Sequence, residues 1–291
     1  MDSLGNGGSD AGNSQGVVPP GAFPLSPAQL GMWFAQHVDP TVPANIAQYV
    51  ELEGDLDLDL LHAASVRAAR EMGSGFLRFI EVDAQPYQLV DLTLDDSVGY
   101  EDLRDEPDPR QAALDWMRND RSRPVDVLRD RLISATVLRI GDRRYFWYNR
   151  VHHLALDGFA AATFMTRIAE LYTAAVDGVE PSPSLASDLR KVYDVEMEYR
   201  GSKRFADDRE YWAQQIEGIE EPTSLAGRTA APAPVSRIDS AALSDETERR
   251  VEQLSERENT SLATAVIAAF AAYVAQMTGQ TDVVLSLPVA A

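Results

Sequence analysis

The segments LISATVLRI (132–140) and RRYFWYNRV (143–151) are dense in β-branched and aromatic residues and are parted only by a turn at Gly141-Asp142. Two such runs around a Gly-Asp pair specify an antiparallel hairpin. The second strand runs directly into His152-His153-Leu154-Ala155-Leu156-Asp157-Gly158. From Gly158 to Val176 the pattern becomes helical, with Phe159, Phe164, Ile168, Leu171, Tyr172 and Ala175 on one face and Gly178 as a stop. A strand, a short loop and a helix in immediate succession bind the loop to both elements. Side chains of the loop then project from a strand end, beside the unpaired N–H groups and positive dipole end of a helix.

The rest of the chain alternates between the same two kinds of element, which predicts a mixed α/β fold. Ser26-Pro27-Ala28-Gln29 reads as a helix start: Ser26 caps, Pro27 takes the first helical position and Gln29 completes a capping box. A strand is expected over 45–53, a helix over 57–72 opened by Asp57, and two hairpin strands over 76–82 and 86–92. Helices follow over 109–119, starting on Pro109, and over 185–200, 206–216, 245–257 and 260–277, the last capped by Gly279. DVVLSLPV (282–289) reads as a strand. Residues 1–22, rich in Gly, Ser, Asn and Pro, are expected to be a disordered leader, and 218–235 a linker. That leaves 23–217 as a first lobe and 236–291 as the beginning of a second.

Charge narrows the function classes. The chain has 26 Lys and Arg against 46 Asp and Glu, a net charge of −20. Phosphate backbones and anionic lipid surfaces need basic clusters, so nucleic acid and membrane binding are disfavoured. The acidic stretch from Asp91 to Asp108 reads as a solvated face. No cysteine is present, which removes thiolate nucleophiles, disulfides and Cys-type zinc sites. No apolar run is long enough to span a bilayer and the leader lacks the features of a secretory signal, so a soluble, cytoplasmic protein is expected.

The chemistry-bearing segment is the His-His loop. Adjacent residues on a strand face opposite ways, so one imidazole is expected inside and the other free to act. An imidazole accepts a proton near neutral pH, and amides at a helix start stabilise an oxyanion. An Asp four residues on can fix the loop through an ion pair. These parts suit transfer of an acyl group to an amine or a hydroxyl. A metal site is not expected, because His37 and His62 lie in other contexts and no HExxH occurs. A serine hydrolase is not expected either, since GxSxG is absent.

HHLALDG (152–158) resembles the HHxxxDG motif of condensation domains in nonribosomal peptide synthetases. PLSPAQLGMWFAQ (24–36) is similar to the opening motif of that family, with Ser26, Ala28, Gln29 and Trp33 at matching positions. SLATAVIAAFAAYVAQMTGQTDVVLSLPVAA (261–291) resembles the helix and strand that open its second lobe. The resemblance implies a two-lobed fold like that of chloramphenicol acetyltransferase, with the first lobe nearly complete and the second truncated. It implies that His153 is catalytic, that His152 is its buried supporting neighbour, and that Asp157 is structural, held by an Arg of the second lobe. Gly158 would place its N–H near the substrate, while Ser26, Gln29 and Trp33 support the loop.

Departures are present. The family's second motif is reduced in AREMGSGFLRF (69–79) to Glu71, Arg78 and Phe79, with Phe76 where an Arg is common. Together with DREYW (208–212) this is most similar to the acyl- or aryl-capping condensation domains of siderophore and lipopeptide synthetases. The implied reaction is attack of a carrier-bound aminoacyl amine on a carrier-bound donor thioester, with His153 either accepting the amine proton or orienting the amine. No cofactor would be held directly; phosphopantetheine would be presented by partner carrier proteins. The donor carrier is expected in trans, because Met1 lies so close upstream, and adenylation and carrier domains are expected downstream. Residues 1–291 alone are expected to be inactive. The competing readings are a stand-alone HHxxxDG O-acyltransferase and a non-catalytic docking or scaffold fragment.

Overall fold

The structure is a computed structural model that describes residues 16–219, 223–226 and 241–287. The chain divides into two compact units, Met1–Met197 and Glu198–Ala291. Most of the leader expected at 1–22 and of the linker expected at 218–235 lies outside the described residues.

The first unit opens with β1 (Phe23–Pro24) and α1 (Pro27–Val38), then β2 (Asn45–Glu53) and α2 (Leu58–Met72). A 3-10 turn over Ser74–Phe76 leads to β3 (Leu77–Val82), β4 (Gln85–Val90) and β5 (Gly99–Asp102). Next come α3 (Pro109–Arg121), β6 (Ile133–Gly141), β7 (Arg144–His152) and α4 (Gly158–Asp177). The starts follow from local chemistry. Ser26 accepts from Gln29 N–H while the Gln29 side chain returns to Ser26 N–H, giving the expected capping box; Asp57 and Asp108 cap α2 and α3. Helix α4 ends at Gly178, whose φ of 66° is one that a side chain would strain.

Two sheets form. One is three-stranded in the order β1-β4-β3; the other is four-stranded in the order β2-β7-β6-β5, antiparallel except for the β5–β6 pair. Strand β7 lies in the interior of the larger sheet and eight of its nine residues are buried, so both its faces are covered. On one face, Tyr145, Trp147 and Val151 pack with Leu61, Ala64 and Ala68 of α2 and Phe164, Ile168 and Leu171 of α4. On the other, Phe146 and Tyr148 pack with Ala113 and Met117 of α3. A third cluster joins Trp33 of α1 to Leu77, Phe79, Leu132 and Leu154. Between α2 and α4, Glu71 and Arg167 form an ion pair at 2.7 Å, both side chains largely buried. This Glu71, one of the few matches to the family's second motif, is therefore a helix-to-helix clamp.

Strand β5 was not anticipated. It lies within the acidic stretch read as a solvated face, and all four of its residues are exposed, so no alternation of buried side chains marks it. It is an edge strand held through backbone pairing with β6.

The second unit begins inside α5 (Leu189–Arg200) and continues with α6 (Lys203–Gln215), α7 (Asp245–Arg257) and α8 (Leu262–Thr278). Ser202, Ser244 and Ser261 cap the last three, and Gly279 closes α8 with a φ of 71°. The strand expected over 282–289 is not formed at 282–287, and 288–291 lie outside the described residues. A strand needs a hydrogen-bonding neighbour. Here Val284 N–H instead donates to Thr223 Oγ1 at 3.2 Å, and no strand lies alongside among the described residues. Among the described residues no single helix is long and apolar enough to cross a membrane.

Candidate active site

The site loop grows from the end of β7, where pairing with β2 places Asn45 opposite His152. One more bond, from His153 N–H to Ala44 O at 2.8 Å, extends the ladder before Ala155 N–H turns back onto His152 O at 2.9 Å. Alternation then sorts the loop. His152 is 1% exposed, Leu154 2% and Leu156 7%, while His153 between them is exposed. Leu154 is anchored in the α1–β3 cluster and Leu156 in the α2–α4 cluster. With its two leucines held in different cores, the loop has little freedom to turn His153 inward.

His152 is bonded through both ring nitrogens. Nδ1 accepts the N–H of Leu154 at 3.2 Å, and Nε2 lies 3.2 Å from Gln36 Oε1. Burial, with smaller repulsion from His153 and Arg150, lowers its pKa to about 4, so the ring is neutral at physiological pH. A buried neutral imidazole with both nitrogens engaged holds shape rather than moving protons.

Helix α1 supplies the other supports. Gln29 Nε2 donates to Leu154 O at 3.1 Å and to Gln88 Oε1 at 2.8 Å, and Gln88 Nε2 returns to Gln29 Oε1 at 2.7 Å. Trp33, 4% exposed, shares its cluster with Leu154 and stacks obliquely near Phe79, ring centroids 6.2 Å apart. Ser26 acts at one remove, by capping the helix that carries the other two. The structure thus brings Gln29, Trp33, His152 and the His153 loop together. His37 bonds Trp33 O at 3.0 Å and its ring lies 4.8 Å from that of Trp33, while His62 is near Asp96.

Asp157 is the N-cap of α4: its carboxylate accepts from Ala160 N–H at 2.7 Å. It forms no ion pair with any described residue. Gly158 is exposed, and a Cβ added there would meet nothing within 4 Å, so packing within this chain does not require glycine. Neither Gly158 nor Phe159 donates its backbone N–H to a described acceptor. An exposed imidazole on a strand end, followed in the same loop by two free helix-start amides, offers groups that can take a proton and receive an oxyanion.

Two features escaped the sequence reading. Gln36 and Gln88 are polar residues whose partners lie far along the chain. Behind the sheet, Arg150 pairs with Asp120 at 3.2 Å, and Tyr148 donates to the same carboxylate at 3.1 Å. Burial, aided by Asp120, raises the tyrosine pKa, and burial lowers that of the arginine. Only the RxHH spacing could have flagged Arg150, and spacing alone does not separate a site arginine from this structural one.

Comparison with known proteins places the chain in a family. The family model for the condensation domain matches residues 20–291. The chain is 38% identical over 271 residues to an isonitrile lipopeptide synthase of Streptomyces coeruleorubidus, covering 91% of this chain and 18% of that protein. It is 31% identical over 259 residues to enterobactin synthase component F of Escherichia coli strain K12, covering 84% of this chain and 20% of the relative. Among solved structures, the starter condensation domain of rhizomide synthetase in complex with C8-CoA superposes with a TM-score of 0.80 at 30% identity, over 90% of this chain and 60% of that one. The first condensation domain of the calcium-dependent antibiotic synthetase also gives 0.80 at 30% identity, over 90% and 63%. The chain therefore spans about a fifth of the relatives' length and about three fifths of the solved domains.

Proposed function

Since the chain belongs to the condensation-domain family, we propose that it supplies the His153 side of an amide-forming site of nonribosomal peptide synthesis. The observation that carries the reading is the exposed His153 between buried His152 and Leu154, in the loop that leads to the free N–H groups of Gly158 and Phe159 at the start of α4. The donor is an acyl or aryl thioester on the phosphopantetheine arm of a carrier protein; the acceptor is the amine of a carrier-bound aminoacyl group. The amine nitrogen attacks the thioester carbonyl carbon, and the helix-start amides face the oxyanion that develops. The C–N bond forms, the C–S bond breaks, and the amine proton passes by way of His153 to the departing thiolate. A thioester is already activated, so orientation of the amine is the main demand on the protein. Similarity to starter condensation domains favours an acyl starter as donor and a donor carrier arriving in trans. Asp157 keeps the loop's shape, and Ser26, Gln29 and Trp33 brace it. The lobes are read as 23–217 and, from 236, the beginning of a second, joined by 218–235.

The test is amide formation, followed by mass spectrometry, between a donor acyl-carrier and an acceptor aminoacyl-carrier. It uses the gene product that carries this chain. His153→Ala is expected to abolish product while preserving the fold. A His153→Ala variant that turns over like the parent would overturn the reading. Ester formation with a hydroxyl acceptor, and none with the amine, would move the assignment to an O-acyltransferase.

A further inference from the structure

We propose that Gln36 is a positioning residue for His153, acting through the tautomer of His152. The inference rests on the reading of His153 as the reacting imidazole, but its evidence is separate. A neutral imidazole carries one N–H. The Leu154 amide donates to Nδ1, so the ring proton must be on Nε2, and Nε2–H requires an acceptor. Gln36 Oε1, at 3.2 Å, is that acceptor. The same requirement orients the Gln36 amide with its oxygen toward the ring, independently of how the two amide ends are assigned. At 1% exposure the ring has no solvent to take the place of Gln36.

The consequence falls on the peptide that follows His153. If the proton moved to Nδ1, two N–H groups would face each other and the Leu154 amide would be released. Leu154 is gripped at its other end by Gln29, and His153 N–H by Ala44 O. The backbone on both sides of His153 is therefore fixed by three bonds, one of them conditional on Gln36. Gln29 and Gln36 are seven residues apart, two turns of α1, and so share one helix face. Gln29 and Gln36 both lie in the 24–36 segment, and Gln36 completes the action of Gln29 from the far end of the same face. The charged and titratable groups near this ring are Arg150 on the same strand face, its partner Asp120, and His153.

The experiment is ring 15N NMR of His152 in this chain, with hydrogen exchange at the Leu154 amide. The parent should show the Nε2–H tautomer and a protected amide. Gln36→Met, of similar length but without the acceptor, should populate Nδ1–H and speed Leu154 exchange at least about tenfold, the loss of one buried bond. Gln36→Glu should keep the tautomer and raise the pH at which the ring titrates, since a carboxylate favours the charged ring. In turnover, Gln36→Met should lower kcat with little change in KM, because misplacing a reacting group costs rate rather than binding. An unchanged tautomer and exchange rate in Gln36→Met overturns the proposal. If that variant does not fold, an unchanged titration in Gln36→Glu does so. His153→Ala leaves the His152 tautomer intact, so failure of the catalytic reading would appear in the turnover of that variant and not in the tautomer or exchange of the Gln36 variants.

Discussion

The buried His152 should make this chain acid-labile in a pH window of its own. Its folded pKa is lowered from 6.5 to about 4, mainly by burial. The unfolded chain therefore takes up a proton near 6.5 that the folded chain refuses until about 4. The group's contribution to stability is complete above the unfolded value, declines as the pH falls through the window, and is gone below the folded one. At about 1.4 kcal/mol per unit, the whole interval corresponds to roughly 3 kcal/mol. The carboxylates with lowered values overlap only its acid end. Glu71, Asp91, Asp95 and Asp102 all have lowered pKa values, from ordinary ones of 4.5 or 3.8, so their contributions persist down to those values and fade only beneath them. The assay is urea unfolding by tryptophan fluorescence at steps from about pH 7 to pH 4.5, for the parent and for His152→Asn. Asparagine keeps an acceptor for Leu154 N–H but does not titrate. The parent should lose roughly 2–3 kcal/mol across that range, and His152→Asn, lower at neutral pH, should be nearly flat. Parallel curves would refute the reasoning, because the missing stability would then belong to another group.

Three further outcomes are expected. Asp157→Ala should cost about 1 kcal/mol, the worth of an N-cap, and Asp157→Asn almost nothing, since both residues cap well; a loss of several kcal/mol by thermal unfolding would reveal an ion pair instead. Glu71→Ala should cost about 2–3 kcal/mol, below the usual figure for a buried pair because Glu170 still bonds Arg167, whereas Glu71→Leu with Arg167→Met should come close to the parent by urea denaturation. Asn149 is fully buried beside a cavity of about 30 Å3 and neither end of its amide has a partner among the described residues, so Asn149→Leu should stabilise by about 1 kcal/mol. A loss of similar size in the calorimetric unfolding of Asn149→Leu would mean that a cavity water satisfies the amide.

Much of this fold was legible because its elements announce themselves locally. Ser26 and Asp57 cap and Gly279 closes where the sequence places them, and β2 and the β6–β7 hairpin form where runs of β-branched and aromatic residues announce them. The burial of His152 and exposure of His153 follow from a period of two. What could not be read is what depends on residues far apart. Strand β5 is exposed on every residue and exists only because β6 offers an edge. The strand expected near 282 shows the converse, an apolar pattern with no neighbouring strand among the described residues. Gln36 and Gln88 look like ordinary polar residues until the fold brings them to His152 and Gln29. The contact of Asp157 with Ala160 N–H follows from the local rule for helix starts, whereas the ion pair that the resemblance implies for it involves none of the described residues.

The bonds that set the loop, Gln29 to Leu154 and Gln36 to His152, join positions 125 and 116 residues apart. Any recombination breakpoint between α1 and β7 would take the loop from one parent and its brace from another. Chimeric synthetases cut in that interval would inherit intact strands and helices, yet a miskeyed histidine. Junctions placed before Ser26 or after α4 would move lock and key together. The segment to be treated as one heritable cassette thus runs from the first helix cap to Gly178, although the chemistry proposed for it occupies only a few residues near its end.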